Sequence, residues 1–300
     1  MTTPRELQKL YEQGMNISAF LRDERGAERN TKEIIELSYE LQSGSYIAAM
    51  KDDSMVQYQR NYSAEIAKVM TSLCSPTSLL EAGVGEATTL SDVLKSLGEP
   101  VRAYGFDLSW SRVAYARKWL SDHGFKDVTL CTGDLLEIPF SDNSMDVVYT
   151  SHSIEPNRGM EGPILRELYR VAKKYLVLLE PGYELANDEA KERMDHHGFC
   201  RDIPGTACDL GYEVVRHELF PHVYNPLNPT AITIIGKPVD AVSPGHTLAC
   251  PKYKTPLKVM GGMLFSSEAL AVYPVVGGIP CLRVENGILA CKYPEMTPER

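Results

Sequence analysis

The residues Leu79-Leu80-Glu81-Ala82-Gly83-Val84-Gly85-Glu86-Ala87 join an apolar run to a glycine turn, with an acidic residue at the junction. Glycine lets the backbone turn sharply and lets a ligand come close, and a helix starting after the turn offers unpaired N–H groups to a negative group. A nucleotide-type ligand suits such a loop. Two further acids fall where strands should end: Asp107 closes VRAYGFD and Asp134 closes VTLCTGD. A carboxylate in the first of these positions can accept hydrogen bonds from both hydroxyls of an adenosine ribose. Taken alone, Asp107 could simply cap a helix running from Ser109 to Leu120, and Asp134 could cap too. In order, at strand ends of one sheet, the set marks the edge where such folds bind ligands.

The loop discriminates between ligands. A dinucleotide fingerprint calls for a third glycine at position 88, where Thr88 stands. No Lys or Arg occurs from Glu81 to Leu94, and Glu86 sits inside the turn, so a pyrophosphate would be poorly neutralised. S-adenosyl-L-methionine fits better. Its amino-acid end carries one carboxylate, together with an ammonium and a sulfonium that acidic neighbours tolerate.

The ordered set EAGVGEA, GFDLS, GDLLEIPFSDNSMDVVYTSHS and LRELYRVAKKYLVLLEP resembles the class I methyltransferases, particularly the methyltransferase type 11 family, over roughly Leu79 to Pro181. The resemblance implies a Rossmann-like fold and S-adenosyl-L-methionine as cofactor, with Glu81, Gly83 and Gly85 as the methionine-side loop. It further implies that Asp107 holds the ribose, Asp134 the adenine amino group, Leu135 the adenine face and Ser151 the region beside the sulfonium. Leu108 and Tyr62 complete the expected cofactor contacts. Ala87 departs from the family in replacing a third loop glycine, and Ile-Glu-Pro stands at 154–156 where many members have a second histidine-containing stretch.

Methyl transfer from a sulfonium is an in-line displacement with an activated leaving group, so alignment of nucleophile and methyl carbon matters most. A hydroxyl acceptor would gain from a nearby base. His152 and Glu155, just past the fourth strand, are the candidates, the alternative being a structural histidine and a helix cap. His196 and His197 end a charged helix with Glu189, Glu192 and Asp195, where a solvated face is the simpler reading. Tyr46, Tyr58, Arg60 and Tyr62 form an aromatic-rich stretch from which a lid could line the pocket.

These residues need elements to hold them. Strands at SLLEAGVG, VRAYGFDLS, VTLCTGD, SMDVVYTSHS and YLVLLEPG alternate with helices at TTLSDVLKSLG, SRVAYARKWLSDHG and PILRELYRVAKK, the pattern of a doubly wound, mostly parallel α/β sheet. A helix around Glu189 to Gly198 follows, then YEVVRHELF and AITIIGKP as a closing antiparallel pair. Apolar spacing marks residues 1–61 as a helical N-terminal extension that could act as a lid. The cofactor-binding domain spans 62–238, and 239–300, with short β-like runs and Gly/Pro punctuation, is a small β-rich appendage.

Within that appendage, CPKYKTPL and YPVVGGIP resemble the small zinc-ribbon-like family whose best-known member activates methyltransferase partners. That family holds metal with two CxxC knuckles. Here Tyr253 takes the second position of the first knuckle, and Ser266 and Ala269 fall where the second would lie, so no zinc is expected. Cys250, Cys281, Cys291 and His246 remain as a theoretical ligand set.

The seven cysteines are scattered and never in a CxxC pair, which argues against a disulfide framework. The net charge of −9 disfavours nucleic acid, whose binding relies on neutralising phosphates. No run approaches the roughly 18 apolar residues of a membrane span. The start MTTPRELQKLYEQG lacks the apolar core of a signal peptide, so a cytoplasmic location is expected. The expected partner is a small-molecule substrate, with a homodimer as a further option.

Overall fold

The computed structural model describes residues 2–238, 242 and 245–297. Near the N-terminus lie α1 (Pro4–Glu12), α2 (Ile17–Arg25), α3 (Lys32–Leu41) and α4 (Ser45–Ala49). Thr3, Asn16 and Thr31 cap the first three of these through their side-chain oxygens. Leu7, Ile17, Leu21 and Ile34 make a small core of their own there.

The next helix, α5 (Asp53–Leu73), runs straight through the border expected at residue 61. Asp52 caps it, and no Gly or Pro interrupts residues 53–73, so nothing in the backbone divides extension from domain at that point.

From there strands and helices alternate: β1 (Ser78–Ala82), α6 (Thr88–Leu97), β2 (Arg102–Asp107), α7 (Trp110–Asp122), β3 (Thr129–Thr132), β4 (Met145–Ser151), α8 (Glu161–Val171) and β5 (Ala172–Pro181). Then come α9 (Asp188–His197), α10 (Ile203–Asp209), β6 (Glu213–Leu219) and β7 (Thr230–Gly236). The seven strands stand in the order β3-β2-β1-β4-β5-β7-β6. The first five are parallel, while β7 runs antiparallel between β5 and β6. This is the Rossmann-like sheet with its closing antiparallel pair.

Two local segments differ from the sequence pattern. Ala172-Lys173-Lys174, expected to end α8, starts β5 instead. Residues 203–209, to which the sequence pattern assigns no element, form a helix that includes Pro204 and Gly205. Proline is tolerated in a first helical turn, and the Asp202 side chain accepts from the Gly205 N–H.

Helices α5, α6 and α7 cover one face of the sheet through Ile66, Met70, Leu90, Val93, Val113 and Leu120. Helices α8 and α10 cover the other through Ile164, Leu165, Leu168 and Ala207, and the appendage joins that core with Cys250, Leu264, Tyr273 and Leu282. The appendage contains an antiparallel sheet of β8 (Leu257–Met260), β9 (Met263–Ser266), β10 (Ala271–Tyr273) and β13 (Ile288–Leu289), with β11 (Val275–Val276) and β12 (Ile279–Pro280) as a separate pair. Its expected first residue, Val239, lies outside the described residues.

The appendage is tied to the main sheet by backbone bonds. The Ser141 N–H donates to the Thr247 carbonyl (2.9 Å), Ala249 to Pro139 (3.0 Å) and Leu282 to Thr132 (3.1 Å). It also grips the N-terminal extension: Arg283 donates to both oxygens of Glu36 on α3 (2.5 and 2.9 Å) and to the Leu108 carbonyl (3.3 Å). Arg283→Ala is therefore expected to loosen α3, costing about 1–3 kcal/mol for a lost set of charge-assisted bonds. Urea unfolding and amide exchange in Lys32–Leu41 check this, and unchanged protection in α3 would show that the clamp contributes nothing.

Candidate functional site

β1 lies between β2 and β4, so the chain crosses from one half of the sheet to the other at the carboxyl end of β1, where such sheets form a crevice. A cavity of roughly 430 Å³ opens there, roofed by α3, α4 and α5. Glu81, Gly83, Gly85, Asp107, Leu108, Asp134, Leu135, Ser151 and Tyr62 all line it, and so do His152 and Glu155.

The glycine loop is built by backbone geometry. Gly83 (φ +78°) and Gly85 (φ +52°) are both left-handed. The N–H groups of Gly83 and Val84 both donate to the Phe106 carbonyl, at 2.9 and 2.8 Å, which presses the loop against the end of β2. A Cβ on Gly83 would lie 2.2 Å from that of Ser153, so glycine is required there by contact as well as by φ. Ala87, at the third-glycine position, is also left-handed (φ +59°), which costs an L-residue about 1–2 kcal/mol.

Asp107 is fastened to this loop. One carboxylate oxygen accepts from the Gly85 N–H (3.0 Å) and the other from the Ser109 N–H (2.9 Å). The cap of α7 is Ser109 rather than Asp107. Each carboxylate oxygen keeps a second lone pair, enough for the two hydroxyls of a ribose. Burial raises the Asp107 pKa, with the nearby Arg112 guanidinium acting against the shift.

Glu81 is only 2% exposed, and its Oε2, with the buried Tyr149 hydroxyl as its polar neighbour, makes no well-formed hydrogen bond among the described residues. Burial pushes its carboxyl up to about 8. A cationic ligand needs the ionised form, so below about pH 8 its binding must expel a proton. S-adenosylhomocysteine, whose ammonium is the cation, is therefore expected to bind more weakly at pH 6 than at pH 8, by up to about tenfold per pH unit. Calorimetry at both values tests this. Glu81→Gln should flatten the dependence, and a flat wild-type profile would exclude Glu81 as the group responsible.

Asp134 is already engaged. Its Oδ2 is 2.5 Å from the Lys32 ammonium of α3, and its Oδ1 accepts from the Leu136 N–H at 2.9 Å. Lys32 also reaches Glu285 at 2.9 Å, so one cation joins extension, loop and appendage. An adenine amino group would share Oδ2 with Lys32. At the other end of the cavity the Tyr62 hydroxyl pairs with that of Ser151 (3.0 Å).

His152 Nδ1 lies 2.5 Å from Glu155 Oε2, and Nε2 lies 2.9 Å from the Thr230 hydroxyl. A carboxylate only accepts, so it draws the ring proton to Nδ1 and leaves the lone pair on Nε2. Asn228 donates to the same Glu155 oxygen at 3.2 Å. The His152 backbone is left-handed (φ +57°), a strained geometry that the following turn enforces. That turn is held by buried Glu180, whose carboxylate accepts from the N–H groups of Ser153, Ile154 and Glu155 at 3.0–3.1 Å. The Glu155 carboxylate raises the His152 pKa against the lowering effect of burial.

Residues 79–175 match the sequence profile described as a methyltransferase domain. This segment is a methyltransferase domain. The chain is 30% identical over 97 residues to demethylmenaquinone methyltransferase of Anoxybacillus flavithermus, covering 32% of this chain and 40% of that protein. The Listeria monocytogenes protein of the same name is 29% identical over 110 residues, covering 37% and 43%. The chain thus spans less than half the length of these curated relatives. In fold it is similar to magnesium protoporphyrin IX methyltransferase from Synechocystis PCC 6803 with bound SAH. That similarity has a TM-score of 0.55 at 14% identity and covers 69% of this chain and 100% of the other.

The cavity also carries site residues that sequence reasoning missed. Arg112 on α7 is 3% exposed, and its guanidinium carbon lies 4.6 Å from the ring centres of both Tyr39 and Tyr46. Glu86, noted only as an acid in the turn, accepts from the N–H groups of Gly44, Tyr46 and Ile47 and so pins α4 over the loop. Thr230 and Asn228 come from and before β7, far along the chain from the dyad they touch.

Of the aromatic stretch, Tyr46, Tyr58 and Tyr62 line the cavity, while Arg60 is exposed and stands outside it. His196 and His197 are also outside, at the end of α9, where Arg22 donates to both their carbonyls. Among the described residues no three His, Cys, Asp or Glu side chains gather as a metal site. In the appendage Cys250 lies 3.7 Å from the Tyr273 hydroxyl, and Lys254 donates to the Pro251 carbonyl (2.6 Å) and to Glu167 (2.8 Å). Nor is any described helix long and apolar enough to cross a membrane.

Proposed function

We propose that this chain is an S-adenosyl-L-methionine-dependent methyltransferase that methylates an oxygen or nitrogen of a small-molecule acceptor. The observation that carries the reading is the His152–Glu155 pair, 2.5 Å apart, opening on the same cavity as Glu81, Gly83, Gly85, Asp107 and Asp134. The residues suit the cofactor: a buried carboxylate oxygen on Glu81 that makes no well-formed hydrogen bond suits an ammonium, and the free lone pairs of Asp107 suit a ribose. When bound, the cofactor supplies a methyl group already activated by its sulfonium.

The chain's own residues do the rest. Gly83 and Gly85 let the backbone approach the ligand closely, and Leu135 offers an apolar face. His152 Nε2 takes the acceptor's proton once the acceptor displaces the Thr230 hydroxyl, and Glu155 holds the ring and stabilises the imidazolium. Tyr39, Tyr46, Tyr58, Tyr62 and Tyr224 line the cavity, a setting for a flat or apolar acceptor. Incubation with methyl-labelled S-adenosyl-L-methionine and a panel of phenols, quinols and aromatic amines tests the reading. Label on an acceptor supports it. No transfer to any of them, in a protein that also fails to bind S-adenosylhomocysteine, would overturn it.

A further inference from the structure

The cavity contains two buried ionisable side chains of opposite type, each with one polar atom that has no hydrogen-bond partner among the described residues. One is Glu81, described above. The other is Arg112, whose Nη2 is buried without a hydrogen-bond partner among the described residues. Its Nε donates to the Tyr39 carbonyl at 3.2 Å, and among the described residues Asp107 and Glu86 act on it through their charge without forming an ion pair. The acids nearest in the fold are committed to backbone N–H groups, Asp107 to those of Gly85 and Ser109, and Glu86 to those of Gly44, Tyr46 and Ile47. A buried guanidinium left unpaired is costly, and a ligand anion would relieve it.

The position of Arg112 says which anion. Its Nη1 lies 3.4 Å from where a Cβ on Gly85 would be, so the guanidinium sits over the glycine loop. Tyr39 and Tyr46 stack on it from α3 and α4, fixing its plane and excluding water from it. A planar fork held in this way presents paired donors to a carboxylate. The loop itself has no Lys or Arg from Glu81 to Leu94, so the fold brings in a cation from α7.

We propose that Arg112, clamped between Tyr39 and Tyr46, is a carboxylate receptor of this cavity, and that the carboxylate it takes is that of the cofactor's amino-acid end. The assignment rests on the proposed cofactor. Glu81 and Arg112 together match a zwitterion, with the ammonium on the first and the carboxylate on the second. The same fork could serve a carboxylate on the methyl acceptor, and the test separates the two sources.

Calorimetry with S-adenosylhomocysteine and with decarboxylated S-adenosylmethionine, on wild type and Arg112→Met, is the experiment. Wild type is expected to prefer the carboxylate-bearing ligand, and Arg112→Met to lose about ten- to a hundredfold affinity for it while holding the decarboxylated one. Arg112→Lys keeps the charge without the fork or the stacking plane. It should lose a smaller part, and it serves if the methionine variant does not fold. Benzoate is then titrated by saturation-transfer NMR onto free and S-adenosylhomocysteine-loaded protein. Benzoate binding that persists in loaded wild type and vanishes in Arg112→Met would place the carboxylate on the acceptor. Unchanged affinity for both nucleosides and for benzoate, in a variant that melts like wild type, overturns the proposal. A wild type that ignores S-adenosylhomocysteine would remove the cofactor reading instead, and benzoate binding to the free protein would then decide Arg112.

Discussion

Replacing His152 with alanine is expected to lower methyl transfer to a hydroxyl acceptor by about a hundredfold to ten-thousandfold, the range associated with a lost general base. Binding of S-adenosylhomocysteine should barely change, because His152 meets Glu155 and Thr230 rather than the loop or the ribose acid. Glu155→Gln should fall between wild type and His152→Ala. An amide in that place can present an N–H to Nδ1, favouring the tautomer with its lone pair on the wrong nitrogen. The pH profile supplies a second signature. The base works deprotonated, and Glu155 raises the His152 pKa, so the rate should climb with pH along a limb set above the ordinary histidine range. In Glu155→Gln that limb should move to lower pH. A His152→Ala enzyme as fast as wild type would make the pair a structural fastening and leave alignment alone to account for the reaction.

Gly83→Ala is expected to destabilise the protein by about 3–5 kcal/mol and to abolish measurable cofactor binding, adding left-handed strain to a steric collision. The collision cannot be relieved by rotating a side chain, since the added carbon meets Ser153 Cβ at 2.2 Å. Ser153 is itself fixed: its hydroxyl donates to the Ala82 carbonyl (2.7 Å) and its N–H to Glu180 (3.1 Å). Moving it displaces the turn that carries His152 and Glu155. Gly26→Ala is the control, because Gly26 is also left-handed (φ +59°) but has nothing within 4 Å of an added Cβ. That variant should show only the conformational cost, about 1–2 kcal/mol. Urea unfolding of both variants checks the difference, and equal losses would mean that the Ser153 contact relaxes freely.

Much of the site could be read from the sequence because it is built from strand ends. Each acid or glycine there follows an apolar run that announces its strand, and a parallel sheet brings such ends to one edge. What could not be read depends on contacts between distant parts of the chain. Arg112 looks like one more charge in SRVAYARKWL, yet it is four residues before Ala116 and eight before Leu120, both buried on α7. Its helical phase was the available signal. Lys32 gives no sign that it will reach Asp134, a hundred residues on, and Thr230 none that it will cap His152, because neither contact leaves a periodic trace. Glu86 was noticed for its sign alone, whereas in the fold it is the acceptor that docks α4. The border set at 61 fell before an amphipathic run beginning at Tyr62, a run that in the fold is the second half of one uninterrupted helix capped by Asp52.

The central claim is that the cavity at the end of β1 holds S-adenosylmethionine rather than a dinucleotide. Titration calorimetry of the purified full chain with S-adenosylhomocysteine and, separately, with NAD tests it most directly. One S-adenosylhomocysteine per chain at micromolar affinity, weakened in Asp107→Ala and with no heat from NAD, is the predicted result. Binding of NAD without S-adenosylhomocysteine would contradict it.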